Sequence, residues 1–285
     1  MSSWFRRPVL GASLLMAGLT AVTPVSAQEL GWDRLAEGLT ITVWTPGPRC
    51  GDEVPPLYVL LVDPERVRFA TYYFRDEGLS FPPTTPEWQR RIHASAIVNA
   101  GLFREDYSYL GLLLKNGRSL GGKRHPQWQG LFVAEPAEAG LRRARVLDLM
   151  TEPFAEDHPA YQEAAQSLML LDRTGKPRVR PTNKRAQQTV IGEDGSGHIL
   201  VMKTDGPVAL RALAECLRDE FPILRHAMAM DGGDSSDLLI AEELRPAGGN
   251  RPWSALVGGS QTAHIPLPAV IGIFPRAGEP GAGRP

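Results

Sequence analysis

Cysteine is nearly missing from this sequence: its 285 residues contain only Cys50 and Cys216. So sparse a count excludes a disulfide-stapled miniature fold and a Cys-rich metal ribbon. The two lie too far apart for a spacing signature, so whether they pair stays open. Histidine is scarce as well. His93, His125, His158, His198, His226 and His264 are scattered, and none belongs to a His-Glu-x-x-His helix or another local metal motif. No Gly-x-x-x-x-Gly-Lys-Ser/Thr loop occurs, which removes nucleoside-triphosphate chemistry of that type. Gly258-Gly259-Ser260-Gln261-Thr262 lacks the final glycine of a nucleophile elbow. Asp231, Asp234 and Asp237 recur every three residues but do not fit a twelve-residue calcium loop. No metal or cofactor is therefore expected. Charge of one sign is absent too: 31 basic residues face 32 acidic ones, a net charge of −1. That balance gives no bulk attraction to nucleic acid or to an anionic membrane.

What is present begins with a processing segment. Arg6 and Arg7 precede an apolar stretch from Val9 to Val22, and Val25-Ser26-Ala27 fits a small-residue cleavage site. The apolar run is broken by Gly11, Gly18 and Thr20, so it is short for a membrane span. Residues 1–27 are expected to be a signal peptide, and the mature chain to be periplasmic or secreted without stable membrane insertion. Residues 28–275 are expected to form one domain, followed by a disordered Pro/Gly-rich tail over 276–285.

Along that domain the pattern alternates between short strands and turns. Leu57–Val62 and Val67–Phe74 flank Asp63-Pro64-Glu65-Arg66 and are expected to form a hairpin. Asn116-Gly117 predicts a second hairpin, and Asp194-Gly195-Ser196-Gly197 joins two further strands. Residues 87–93 suggest a short helix. Leu210, Leu213, Ala214, Leu217 and Phe221 share one helical face, predicting a helix over Val208–Phe221. With strands before and after it, this helix invites a β-α-β crossover that ends at Asp231. The fold class expected is α+β, a single domain with a mixed β-sheet core and a few packed helices.

The apolar run Ala227-Met228-Ala229-Met230 stops at Asp231, followed by Gly232, Gly233, Asp234, Ser235 and Ser236. A carboxylate at the end of a buried strand, with glycines that let a ligand approach the backbone, is a common way to build a site. The same letters also suit a simple Gly-rich turn.

Three other segments accompany it in order: Val98-Asn99-Ala100-Gly101-Leu102-Phe103, then Ala165-Gln166-Ser167-Leu168, then Arg185 ahead of Thr189-Val190-Ile191-Gly192. This succession resembles the phosphodiester glycosidase domain family over roughly residues 55–275. The resemblance implies an α+β fold and hydrolysis of a sugar–phosphodiester linkage at the anomeric carbon. It implies Asp231, Asn99 and Arg185 as catalytic groups. Gln166, Ser167, Gly232, Gly233, Ser235, Ser236, Gly101 and Phe103 become substrate contacts, with a sugar phosphate, small or polymeric, as the partner. In that frame the Gly232 and Gly233 amides offer an anion nest and Arg185 a bidentate phosphate ligand. Two departures stand out: Gln188 takes a position that is Arg in many members, and Asp234 adds negative charge beside a phosphate site. These departures leave room for a protein that binds a sugar phosphate without cleaving it.

Overall fold

Apolar residues in this chain come mostly in short runs bounded by turn formers, and the chain accordingly folds as strands. The computed structural model describes Met1 and residues 30–246, 251–259 and 263–276. Apart from Met1, the expected signal peptide lies outside the described residues, as does the tail beyond 276. Arg276 itself is held, its amide donating to the Arg66 carbonyl at 2.9 Å.

The strands of the unit that begins at Gly31 follow one another as β1 (Asp33–Ala36), β2 (Leu39–Trp44), β3 (Leu57–Val62) and β4 (Val67–Tyr73). Helix α1 (Thr85–Ile92) leads to β5 (Ala96–Asn99) and the small pair β6 (Leu113–Lys115) and β7 (Arg118–Ser119). Next come β8 (Gly130–Pro136), β9 (Ala144–Asp148), the long β10 (Tyr161–Leu171), β11 (Arg185–Ala186), β12 (Thr189–Asp194), β13 (Ile199–Thr204) and β14 (Val208–Ala209). Helix α2 (Leu210–Glu220), β15 (Leu224–Ala229), β16 (Leu238–Ile240) and β17 (Ala269–Pro275) complete the order.

An eleven-stranded sheet runs β1-β2-β3-β13-β12-β15-β10-β6-β7, with β8 and β9 branching from β10. A four-stranded sheet runs β16-β5-β17-β4. The main core lies between them, where Leu60, Ile191, Val201 and Met228 meet Phe69, Val98 and Ile271. Each such side chain taken fully out of water contributes about 1.5–3 kcal/mol. A second cluster, including Leu114, Leu131, Val133 and Tyr161, packs around β6, β8 and β10.

The α+β class therefore holds, with strands dominating, but the sheets are not mixed. Every ladder between named strands in the described residues is antiparallel. The strands flanking α2 do not pair with each other. β12 lies between β13 and β15 and is antiparallel to both. The hairpin expected from β3 and β4 is also absent, although its turn forms through Arg66 N to the Asp63 carbonyl at 3.0 Å. β2 and β13 already occupy both edges of β3, so β4 crosses to the other sheet and pairs with β17. The Asn116-Gly117 hairpin is present, with both residues at positive φ. Cys50 and Cys216 are joined, their Cα atoms 4.8 Å apart, which ties the turn Pro48–Glu53 to α2.

Candidate functional site

The two sheets meet at a loop. β5 of the smaller sheet ends at Asn99, and Asp231 lies two residues beyond the end of β15 in the larger one. Asn99 is 1% exposed and its amide is engaged on both sides. Nδ2 donates to the Asp231 carbonyl at 2.8 Å and to the Ala100 carbonyl at 3.3 Å, while Oδ1 accepts the Asp237 amide at 3.1 Å. The expected catalytic amide is thus a clasp on both ends of the loop 231–237. It works on Asp231 through the backbone.

Gly101 follows directly. A Cβ there would strike the Gln166 carbonyl and the Tyr109 hydroxyl, so only glycine allows the approach. The Tyr109 hydroxyl accepts the Gly101 amide at 3.1 Å and donates to the Gln166 carbonyl at 3.0 Å. Burial, aided by the nearby charge of Asp231, pushes this phenol well above its ordinary range and keeps it protonated.

Gln166, fully buried, was expected to contact substrate. Its amide instead organises a loop. Oε1 accepts Leu112 N at 2.9 Å and His125 N at 2.8 Å, and Nε2 donates to the carbonyls of His125 at 2.8 Å and Trp128 at 2.6 Å. Ser167, the next expected contact, is also buried. Strand alternation places it on the face of Ala165, a main-core residue, and its buried hydroxyl has no hydrogen-bond partner. Phe103 is half-buried against the core and stacks on Tyr107, ring centroids 6.2 Å apart.

Asp231 is half-buried, and its Oδ1 accepts the Gly232 amide at 3.0 Å. Burial raises its pKa above the usual carboxylate value. The Ser235 hydroxyl, the Gly232 amide and the Lys184 ammonium pull it down without cancelling the rise. Ser235 thus lies on the side of the carboxylate. Ser236 turns the other way, its hydroxyl 2.9 Å from that of Thr189. Gly233 has φ of +72°, and its amide donates to the Gln187 carbonyl at 2.8 Å. With the Gly232 amide on Asp231 and the Gly233 amide on Gln187, the expected anion nest is filled by the protein itself. Gly232 is pressed against the Gln187 carbonyl and the Gln188 side chain, leaving no space for a Cβ.

Arg185 does not join this cluster. Its Nη2 donates to the carbonyls of Glu53 at 2.8 Å and Pro207 at 3.1 Å. The cation acting on Asp231 is its sequence neighbour, Lys184. Behind the loop, Asp237 Oδ2 accepts from Thr85 Oγ1 at 2.5 Å and from His264 Nδ1 at 2.5 Å. That bond raises the His264 pKa. Lys203, 5% exposed and facing Asp237 and Asp205, has its pKa lowered by burial. Sequence reasoning missed Tyr109 as the central hydroxyl, Lys184 as the cation and Asp237 as the anchor. Only the three-residue spacing of Asp231, Asp234 and Asp237 hinted at the last.

A profile of the phosphodiester glycosidase family matches residues 93–274, about two thirds of the chain and every candidate residue named above. The chain belongs to the phosphodiester glycosidase family. No curated protein matches the sequence. Among solved structures, the chain resembles the zebrafish N-acetylglucosamine-1-phosphodiester alpha-N-acetylglucosaminidase catalytic domain auto-inhibited by its pro-peptide. The TM-score is 0.57 at 14% identity, over 90% of this chain and 85% of that one. A hypothetical protein from Synechocystis gives a TM-score of 0.55 at 13% identity; the match covers 88% of this chain but only 64% of that one. At these identities the structural likeness is one of fold. The family profile begins near the start of β5, so β1 to β4 lie outside it while Asn99 through Ser236 lie inside.

Proposed function

We propose that the protein is an exported hydrolase that cleaves a glycosyl-1-phosphodiester bond in an envelope or extracellular glycoconjugate. The observation that carries this reading is the half-buried Asp231 carboxylate at the end of β15, clasped through its backbone carbonyl by Asn99 and lying within charge range of Tyr109 and Lys184. In the proposed step a water oxygen bonds to the anomeric carbon as the bond from that carbon to the phosphate oxygen breaks. The phosphomonoester leaves with the bonding electron pair, and the Asp231 carboxylate takes the proton from water. A carboxylate raised toward neutrality is a better base than an ordinary one. Phosphate is already a good leaving group, so less acid assistance is needed than for an ordinary glycoside. Lys184 would hold the phosphate as a point charge. Export is supported by the leader-like N-terminus and by the Cys50–Cys216 bond, since disulfides persist in oxidising compartments.

The alternative of sugar-phosphate binding without cleavage draws on Arg185 and both glycine amides being engaged by the protein itself. A panel of sugar-1-phosphodiesters decides between the two. Turnover by the wild type that falls at least a hundredfold in a folded Asp231→Asn variant is the expected result. Saturable binding with no turnover across the panel would give the binding reading its place.

A further inference from the structure

A cleft of about 490 Å³ opens beside Tyr109, lined by Arg75, Arg104, Arg118, Ser108, Ser119 and Asp76 among others. Three guanidinium groups thus face one lining carboxylate. That carboxylate is already paired, with Arg118 at 2.5 Å and Lys115 at 3.6 Å. Among the described residues the Arg75 side chain donates to the Asp106 carbonyl, at 2.8 Å, and that of Arg104 to the Ser108 hydroxyl, at 3.5 Å. The exposed Asp106 carboxylate is the other acid at the rim, where Ser108 binds it. The cations still outnumber the acids, and the volume suits a ligand of a few sugar or polyol units.

Aromatic rings adjoin the lining residues. Arg75 lies over the Phe74 ring, its Cζ 5.3 Å from the centroid. Tyr107 meets Phe74 and Phe81 edge-on at 6.3 and 5.2 Å, and Phe81 is 58% exposed. Apolar faces beside an excess of cations suit a ligand that alternates carbon skeleton with anionic groups. Tyr109 packs between the cleft and the site: the buried side chain that lines the cleft bonds Gly101 and Gln166 and lies within charge range of Asp231.

We infer that this cleft binds a chain of phosphodiester-linked sugars or polyols, the part of the substrate that runs on from the scissile bond. The assignment of that bond rests on the hydrolytic reading of Asp231; binding of the chain does not, so the two fail separately. Fluorescence anisotropy with a labelled six-unit glycerol-phosphate oligomer, read at low and moderate salt on the purified protein, tests the cleft. Neutral maltohexaose and hexathymidylate serve as comparison ligands. The expected result is saturable binding of the glycerol-phosphate oligomer that weakens as salt rises. It should weaken at least tenfold in Arg75→Gln/Arg104→Gln, with maltohexaose binding far more weakly. Both side chains are exposed, and Arg104→Gln alone removes one long contact to Ser108 and a surface charge near Asp106, so loss of binding in that variant is not a folding effect. No binding by the wild type, equal binding by the variants, or tighter binding of hexathymidylate would each overturn the inference.

Discussion

Asp231 carries a conflict between folding and chemistry. Its carboxyl is raised above the ordinary value of 3.8 mainly by burial, so the fold favours the neutral form. The stability this contributes is fully present below the unfolded value and is lost as pH rises through the folded one. At neutral pH the ionised side chain therefore destabilises the protein. Asp231→Asn keeps an oxygen for the Gly232 amide and the Ser235 hydroxyl but cannot ionise. It is expected to melt above the wild type at pH 7, by about 2–4 °C for each kcal/mol regained, and the gap should close below pH 4. Thermal melts of both proteins from pH 3.5 to 7.5 check this, and a variant that melts lower at pH 7 would refute it. The position of Asp231 just past a buried strand was legible in the sequence, because an apolar run stops there at an acid and two glycines. The roles of Asn99 and Gln166 were not. Their partners lie 132 and 41 residues away, and only the fold brings those backbones within reach. The place of Arg185 was not legible either, since the carbonyls that hold it come from Glu53 and Pro207, 132 and 22 residues away.

Elements whose partner was local could be read directly, as with the β6–β7 and β12–β13 hairpins and helix α2. Elements whose partner was remote could not. β3 and β4 look like a hairpin by pattern, yet the edges of β3 were taken by strands before it and far after it. The same distinction governs the strap over residues 119–129, which has little regular structure of its own. The Gln166 amide secures it through His125 and Trp128 while also meeting Leu112. Replacing Gln166 with Leu removes four hydrogen bonds at about 1 kcal/mol each and leaves backbone groups unpaired. A loss of about 3–4 kcal/mol in urea denaturation is expected. Trypsin should also cut the native variant at the exposed Lys123 and Arg124 well before it cuts the wild type. Equal cleavage rates would mean that the strap is held by something other than Gln166.

Over the whole molecule, the site depends on two sheets being held face to face, and the largest covalent constraint lies away from it. Cys50 and Cys216 are 166 residues apart in sequence, a separation from which no pairing could be read. The bond closes a loop that contains β3 through β14, and chain-entropy scaling puts the stabilisation from restricting so long a loop at about 5 kcal/mol. Domains of this kind are stable by about 5–15 kcal/mol in total, so the bond is a large share of the margin. The turn it fixes is also tied to α2 by the Arg49 amide on Glu220, and it supplies the Glu53 carbonyl that holds Arg185. Asn99 and Asp231 are set instead by β5, β15 and the core between the sheets, which the disulfide does not cross. Reduction, or Cys216→Ser, is therefore expected to lower the melting temperature by about 10 °C or more. The fold and any turnover at 25 °C should survive, with a shorter half-life on warming. Melting and activity measured on oxidised and reduced protein separate the two effects. An unchanged melting point would show that the core alone closes the sandwich, whereas parallel loss of activity and stability would place the disulfide among the supports of the site.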